Sequence, residues 1–250
     1  MINDNNHLCQ FLAWDSEFFN YRIGRTSLSR LDQSNIGDIL DWCEKNVVDC
    51  LYFLADSDDP KTIDLAQKNG FSLVEIRITL ERSLKDWNPE TRPRASNAVK
   101  IRAVQPEDIP ALQEIAGTSY IDSRFYFDKH FSEAQWQAYY ATWVKKSCLG
   151  GADLALAAEM ERIVVGYITG LVVNDGQDGI YELTGVLESA RNAGVGQELF
   201  RSGLDWYARS GIDKISVATQ GRNITTQRMI QKHGFLTRTC QLYYHKWFAH

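Results

Sequence analysis

Residues 180–197 read IYELTGVLESARNAGVGQ, and this stretch decides the fold. Its first residues alternate as in a strand that ends at Val186, and an amphipathic helix is predicted to follow. Between them, Gly194 and Gly196 allow a tight turn in which successive N–H groups face one point, beside the partial positive charge of a helix N-terminus. The stretch therefore predicts a backbone cradle for a pyrophosphate, with Arg191 close by to add charge.

Two other phosphate-binding motifs are excluded by the residues present. The dinucleotide-binding fingerprint GxGxxG requires a third glycine where Leu199 stands, and the Gly-Lys-Ser/Thr of a P-loop does not occur. A lone GxG is also typical of an ordinary glycine turn before a helix. The surroundings favour a ligand site, because Val186, Arg191, Gly194 and Gly196 fit the spacing V-x4-R-x2-G-x-G.

Further along, Asn223 precedes the next predicted helix and Gly234-Phe235 follows it. Together with the glycine stretch, this arrangement resembles the GNAT superfamily of acyl-CoA N-acyltransferases over roughly residues 99–250. The resemblance implies an α/β (α+β) fold, namely the GNAT acyl-CoA N-acyltransferase fold with a mixed central sheet. It also implies acetyl-CoA (coenzyme A) as the cosubstrate and no metal.

The same resemblance assigns the coenzyme-binding residues. The backbone of residues 192–197 is expected to hold the pyrophosphate, and residues 183–186 are expected to bind the pantetheine arm. Asn223 is expected to contact that arm as well, with a helix N-cap as the alternative role. The full expected set is Leu183, Thr184, Val186, Arg191, Asn192, Ala193, Gly194, Val195, Gly196, Gln197 and Asn223.

The usual general acid of the superfamily is missing. A tyrosine that protonates the departing thiolate commonly stands four residues before the glycine of the Gly-Phe pair, and here that residue is Ile230. Because thiols have pKa values near ~8.5, the thiolate leaves without much help. Other candidate acids, each also typical of a structural role, are Tyr243, His245, Tyr244 and His233. Glu182, in alternation with Thr184 and Val186, is the candidate base, with a solvated or salt-bridged glutamate as the alternative.

Residues 120–143 follow the first predicted helix of this half, where the superfamily builds its acceptor site. Rings in this segment can stack on a sugar or a base, and Arg124 can make paired hydrogen bonds to a phosphate. Tyr120, Arg124 and Asp128 are therefore the candidate acceptor-binding residues. The alternative is a loop whose aromatic side chains pack into the core.

The opening Leu12-Ala13-Trp14-Asp15-Ser16-Glu17-Phe18-Phe19 resembles that of the dTDP-fucosamine acetyltransferases and related nucleotide-sugar N-acetyltransferases of surface-polysaccharide pathways. This resemblance implies transfer of acetyl to the amine of a nucleotide-linked amino sugar, by direct attack in a ternary complex. Two other hypotheses stay open. One is a GNAT acetyltransferase acting on another small amine or on a protein amine, and the other is a non-catalytic acyl-CoA-binding module.

An internal repeat and a polar linker indicate two parts of the chain. Leu40-Asp41-Trp42 recurs as Leu204-Asp205-Trp206, and Gln67-Lys68 with Gly70-Phe71 recurs as Gln231-Lys232 with Gly234-Phe235, all at an offset of 164 residues. Residues 84–98 have the composition of a linker. The prediction is a smaller, degenerate GNAT-like α/β domain at 1–96, including the linker, and an acetyltransferase domain at 97–250.

Composition narrows the class of partner. The chain has 250 residues and a net charge of −5, which argues against nucleic acid as a partner. No stretch approaches the ~20 apolar residues of a membrane helix, and the five cysteines, odd in number and without CxxC spacing, favour a reducing compartment. We expect a cytoplasmic protein whose partner is a small-molecule acceptor amine, without nucleic acid or membrane, with a homodimer left open.

Overall fold

The computed structural model describes residues 8–88 and 98–249. The strands and helices of the first part are β1 (Cys9–Phe11), α1 (Ala13–Phe19), β2 (Ile23–Thr26), α2 (Asn35–Lys45), β3 (Cys50–Asp56), α3 (Pro60–Lys68) and β4 (Ser72–Ser83). Those of the second part are β5 (Lys100–Ala103), α4 (Ile109–Ser119), α5 (Arg124–Phe127), α6 (Glu133–Lys146), β6 (Leu154–Met160), β7 (Ile163–Val173), β8 (Asp178–Val186), α7 (Val195–Arg209), β9 (Lys214–Gln220), α8 (Ile224–Lys232) and β10 (Leu236–Trp247).

Local signals in the sequence set many of these boundaries. The Ser132 side chain accepts a hydrogen bond from the Gln135 N–H (3.3 Å) and the Gln135 side chain accepts one from the Ser132 N–H (2.8 Å), so a capping box begins α6 where it is predicted. Gly234 has φ +81° and follows α8, as expected of a glycine that stops a helix. The helix predicted near Glu107 begins instead with a short 3₁₀ turn at Pro106–Asp108, and α4 follows it.

All ten strands join one mixed sheet in the order β1-β2-β3-β10-β4-β9-β8-β7-β6-β5. Two neighbouring pairs, β2–β3 and β8–β9, are parallel, and the other pairs are antiparallel. The expected α/β fold with a mixed central sheet is therefore confirmed. Helices α4 and α6 pack with the β7–β8 region in a cluster rich in aromatic side chains, whereas α7 packs in a separate cluster with β9.

The two parts of the chain exchange strands. Strand β10 lies between β3 and β4, and β4 lies between β10 and β9, so each part inserts its last strand beside strands of the other. The sequence repeat matches this arrangement, because residues 50–56, 60–68 and 72–83 (β3, α3 and β4) correspond at the same offset to 214–220, 224–232 and 236–247 (β9, α8 and β10).

The predicted linker is partly packed against the rest of the protein. Leu84 and Trp87 are buried, and the Trp87 Nε1–H donates to Asp205 Oδ1 on α7 at 2.9 Å. The proposed boundary at residue 96 lies outside the described residues. The division into a degenerate domain and an acetyltransferase domain therefore stays a prediction.

Among residues 8–88 and 98–249, no helix has the length and apolar character needed to cross a membrane. Within the same ranges, no group of three or more His, Cys, Asp or Glu side chains is placed to hold a metal ion.

Candidate active site

Strands β8 and β9 separate after a short paired stretch. Their parallel pairing runs from Asp178 opposite Lys214 to Tyr181 opposite Val217, and in the described structure it goes no further, although β8 continues to Val186. A bulge in β8 accompanies the separation, because Ile168 of β7 pairs with Thr184 whereas Gly170 pairs with Tyr181. A bulge bends its strand and increases the local twist. A gap between two neighbouring strands thus opens in the middle of the sheet.

The bulge overturns the alternation predicted for Glu182, Thr184 and Val186. Tyr181 packs with α7, but Leu183, two residues later, packs in the cluster with α4 and α6. Two consecutive residues of β8 oppose one residue of β7 here, and this shifts all later side chains by one position. Glu182 lies by Trp143 and Ser147 at the end of α6, and its Oε2 is buried without a hydrogen-bond partner. Burial raises the pKa of Glu182, and those two neighbours offset part of the increase.

The cradle predicted at residues 192–197 lies at the same end of β8 as the gap. Asn192 has φ +65° and Gly194 has φ +82°, so two left-handed residues turn the chain into α7. Gly194 is the N-cap of this 15-residue helix, and no side chain caps it. The first N–H groups of α7 therefore point away from the helix as donors for an anion. Arg191 and Asn192 are exposed beside them.

Gly196 has a packing role as well. A Cβ at this position would lie 3.2 Å from Met229 Sδ on α8, closer than most such contacts. The glycine therefore lets α7 and α8 approach each other next to the cradle.

Three of the other predicted coenzyme contacts already have protein partners. The Leu183 N–H donates to Thr169 Oγ1 (3.3 Å), and the Thr184 carbonyl accepts from the Tyr120 hydroxyl (3.3 Å). Asn223 Oδ1 accepts from the Thr226 N–H (3.2 Å), so the N-cap role of Asn223 is confirmed. Whether these residues also contact a coenzyme stays a prediction.

The predicted catalytic residues do not form one cluster. Glu182 lies on β8 beside the end of α6, whereas Tyr243 and His245 lie on β10, between β3 and β4. Ile230, at the place of the usual acid, is fully buried in the α7 cluster. A buried apolar side chain therefore stands where the superfamily commonly has its tyrosine acid.

The predicted acceptor segment, residues 120–143, approaches the gap at Tyr120, whose hydroxyl reaches the Thr184 carbonyl. The Tyr120 ring stacks on Tyr140 at 4.0 Å, and its hydroxyl lies 3.0 Å from that of Tyr167. The Arg124 guanidinium carbon lies 4.7 Å above the Tyr243 ring and 5.2 Å above the Tyr52 ring. The segment predicted as a loop includes the short helix α5, which begins at Arg124.

Asp128 is engaged by residues of β10 and of its own segment. It accepts hydrogen bonds from His245 Nδ1 (2.6 Å), from Trp247 Nε1 (2.8 Å) and from His130 at both the ring Nδ1 (2.8 Å) and the backbone N–H. Burial alone would raise the pKa of Asp128, but these bonds outweigh it and hold the pKa well below its ordinary value. Burial lowers the pKa of His245 to about 4, against the opposing effect of Asp128. The 2.6 Å contact with Asp128 favours a proton on Nδ1 of His245, directed to the carboxylate.

Sequence reasoning missed three polar residues of the first part of the chain that reach this cluster. Glu75 Oε2 on β4 accepts the backbone N–H of Arg124 (2.9 Å), and Asp15 Oδ1 on α1 accepts the Tyr139 hydroxyl (3.2 Å). Tyr52 on β3 stacks on His245 with ring centroids 4.4 Å apart. In the sequence, the indication that Glu75 is a buried polar residue is its place among the apolar residues of Leu73-Val74-Glu75-Ile76.

Known proteins resemble this chain in sequence and in fold. The acetyltransferase (GNAT) family profile matches residues 111–235. The dTDP-fucosamine acetyltransferase of Escherichia coli is 31% identical over 173 residues, which cover 68% of this chain and 69% of that protein. The spore coat polysaccharide biosynthesis protein SpsD of Bacillus subtilis is 24% identical over 143 residues, 57% of this chain but only about half (49%) of its own length.

Solved structures share the fold over nearly the whole chain. A GCN5-related N-acetyltransferase from Sphaerobacter thermophilus has a TM-score of 0.67 at 15% identity, covering 96% of this chain and 76% of that one. A conserved protein of unknown function from Staphylococcus epidermidis also has a TM-score of 0.67 at 15% identity, covering 100% and 96%. By class, then, the protein is an acyltransferase. It belongs to the acetyltransferase (GNAT) family.

Proposed function

We propose that the protein is an acetyl-CoA-dependent N-acetyltransferase whose acceptor is the amine of a nucleotide-linked amino sugar. The observation that carries the coenzyme assignment is the gap between β8 and β9 with the uncapped N-terminus of α7 at the same end of β8. An opening between two strands leaves backbone groups of β8 without a strand partner for an extended pantetheine arm, and a helix N-terminus suits a pyrophosphate. The similarity to a dTDP-fucosamine acetyltransferase supports the acceptor class.

In this proposal the N–H groups of residues 192–197 bind the coenzyme pyrophosphate, and Arg191 adds charge. We assign the Thr184 N–H and the backbone of Val186 to the pantetheine arm, because the Leu183 N–H and the Thr184 carbonyl are already used by Thr169 and Tyr120. The helix cap uses Oδ1 of Asn223, and the Nδ2 group is the donor that we assign to the same arm.

The chemistry proposed is direct attack of the acceptor nitrogen on the thioester carbon. The C–N bond forms, the C–S bond breaks, and the coenzyme leaves as its thiolate. Glu182 takes the proton released by the amine, since burial raises the pKa of its carboxyl and so improves it as a base near neutral pH. With Ile230 at the acid position, the thiolate leaves unaided, which its ordinary pKa near ~8.5 allows.

Tyr120, Arg124 and Asp128 play different parts on the acceptor side. Tyr120 links this side to the gap through Thr184, and Arg124 offers donors to the acceptor. Asp128 acts through its bonds to His245 and Trp247, which fasten the acceptor segment to β10. Asp128 is therefore proposed as a positioning residue, and not as a contact of the substrate.

The test begins with calorimetric titration of the protein with acetyl-CoA, with desulfo-CoA as the control for the thioester. Thiol release is then followed over a panel of amino-sugar nucleotides, free amino sugars, polyamines and lysine peptides. Turnover confined to the sugar nucleotides supports the proposal. Turnover on peptides or polyamines would show that the acceptor belongs to another chemical class. Absence of coenzyme binding would show that the gap and the cradle are not a coenzyme site.

A variant tests the proposed base. Glu182→Gln is expected to lower kcat by about 10²-fold or more and to leave the Kd for acetyl-CoA unchanged, since general-base catalysis typically contributes that much. The rate of the unaltered enzyme should also rise with pH as Glu182 ionises, and this limb of the profile should be absent from the variant.

A further inference from the structure

Two buried carboxylates, Glu75 and Asp15, adjoin the aromatic cluster on the proposed acceptor side. Glu75 and Asp15 are 6% and 8% exposed, and the cation that acts most strongly on each is Arg124. Arg77 has a weaker effect on Glu75, and Arg25 has a weaker effect on Asp15. In the described residues, no ion pair within 4.0 Å joins the Arg124 guanidinium to either carboxylate. A third carboxylate, Asp128, already has its oxygen atoms satisfied by four hydrogen bonds. Burial raises the pKa of both Glu75 and Asp15, and Arg124 lowers each.

Three buried polar atoms of the same cluster have no hydrogen-bond partner among residues 8–88 and 98–249. They are the Tyr52 hydroxyl, Arg124 Nε and His245 Nε2. Tyr52 stacks on His245, and the Arg124 guanidinium lies 5.2 Å over the Tyr52 ring, so the three are neighbours. Buried polar atoms almost always find a hydrogen bond. Three unsatisfied atoms in one place indicate a polar ligand with several hydroxyl or amine groups.

The cluster borders the gap in the sheet. Strand β4 pairs with the last residue of β9 at Arg77 opposite Gln220, so Glu75, two residues further, lies beyond the end of β9. On the sheet it stands opposite Tyr243 of β10. Across the gap, Tyr120 hydrogen-bonds Thr184 of β8 and stacks on Tyr140, which belongs to the same cluster.

We propose that Glu75 and Asp15 form an anionic subsite that binds the acceptor sugar as its ammonium ion, with the Tyr52 hydroxyl and Arg124 Nε as contacts for its oxygen atoms. The ammonium gives one proton to Glu182 before the neutral nitrogen attacks, and the second N–H proton passes to the leaving thiolate. This inference rests on the proposed function, because it concerns the acceptor of that same site. All three of Asp15, Tyr52 and Glu75 belong to the first part of the chain. The acceptor pocket is thus built by both parts, and its ligand is a cationic amino sugar.

The proposed subsite should bind a sugar with an amine more tightly than one with a hydroxyl at the same carbon. The probes are dTDP-4-amino-4,6-dideoxygalactose and dTDP-fucose, which carry the amine and the hydroxyl at C4. Their Kd values are measured by calorimetry on the full chain saturated with coenzyme A. The unaltered protein should bind the amine about tenfold more tightly, as expected of a charge-assisted hydrogen bond.

Glu75→Gln keeps the shape of the side chain and removes its charge. We expect the preference for the amine to fall toward one and the acceptor KM to rise about tenfold, while the Kd for acetyl-CoA stays unchanged. Glu81→Gln is the matched control, because Glu81 lies on the same strand and pairs only with the exposed Arg238 (3.6 Å). Asp15→Asn is the second variant if Glu75→Gln fails to fold.

The outcomes separate the two proposals. Acetylation of the sugar nucleotide with an amine preference that survives both variants overturns the anionic subsite and leaves the proposed function intact. A protein that binds acetyl-CoA but acetylates no amine overturns both. Loss of the amine preference in Glu75→Gln but not in Glu81→Gln supports the subsite.

Discussion

Replacing Gly194 with aspartate introduces a carboxylate into the cradle that we assign to the coenzyme pyrophosphate. Gly194 is the N-cap of α7, so the new side chain would compete for the same N–H groups as the ligand. At ~6 Å from one phosphate charge and an effective dielectric constant of about 20, the repulsion is about 3 kcal/mol. This corresponds to a Kd for acetyl-CoA that is about 100-fold weaker.

Asparagine at position 194 distinguishes the effect of the added negative charge from the effect of placing a side chain at a left-handed backbone position. Gly194 has φ +82°, and both Asp and Asn tolerate this left-handed region better than other side chains do. Gly194→Asn therefore has the same size and backbone cost as Gly194→Asp but no charge. Gly176→Asp, also at positive φ (+87°) but in the turn at the opposite end of β8, is the control for an added carboxylate elsewhere.

The assay is calorimetric titration with acetyl-CoA at low and at high salt. The Asp and Asn variants should differ by about 100-fold at low salt and by much less at ~1 M salt, where the screening length is about 3 Å. Equal Kd values for the two variants would refute the reasoning, because the anion would then not lie at the α7 N-terminus. A Gly176→Asp variant with weakened binding would refute it as well.

Three further predictions concern stability. Asp128→Asn should lower the free energy of unfolding by about 2–4 kcal/mol in urea, because an amide cannot accept from all the donors that meet there. Because the folded-state pKa of Asp128 is depressed, its ionised carboxylate contributes fully to the free energy of unfolding above the unfolded-state pKa of about 3.9. This contribution is lost as the pH falls from there through the folded-state pKa. The unaltered protein should therefore lose more stability than Asp128→Asn on acidification. Gly185→Ala should lower the free energy of unfolding by about 1–3 kcal/mol, because a Cβ there would lie 2.6 Å from the Tyr167 ring. Gly37→Ala should raise it by about 0.5–1 kcal/mol, because Gly37 lies in α2 and a Cβ there would have nothing within 4 Å. Thermal unfolding of the two variants measures both effects. Residues 97–250 expressed alone should not yield a soluble fold, because β10 loses both neighbours and β9 loses β4; a cooperative melting transition of this fragment would contradict the strand exchange.

The sequence predicts those features of the site that depend on local backbone chemistry. Gly194 and its neighbours determine where α7 begins, and a short run of residues carries that information. The bulge at Glu182 and Leu183 depends on which β7 residue each of them opposes, a long-range choice that alternation within one strand cannot show. Nothing in the sequence around Glu75 distinguishes its role from that of other strand residues. Its position on the proposed acceptor side depends on the pairing of β4 with β9 and β10, which is a long-range feature.

The two copies of the repeat differ where the cradle would be. In the first copy, Asp32 Oδ1 accepts the N–H groups of Ser34 (2.8 Å) and Asn35 (2.9 Å), so a carboxylate already occupies the N-terminus of α2. The segment after β2 also closes onto α3, where the Leu31 N–H donates to Thr62 Oγ1 (2.8 Å). A helix end filled in this way offers no donors to a pyrophosphate. The strands of this copy nevertheless complete the sheet around β10 and carry side chains toward the proposed acceptor site. Neither the strand pairing nor the side chains on the proposed acceptor side depend on a coenzyme-binding loop. The second copy can therefore need the first for its fold although the first has no such loop.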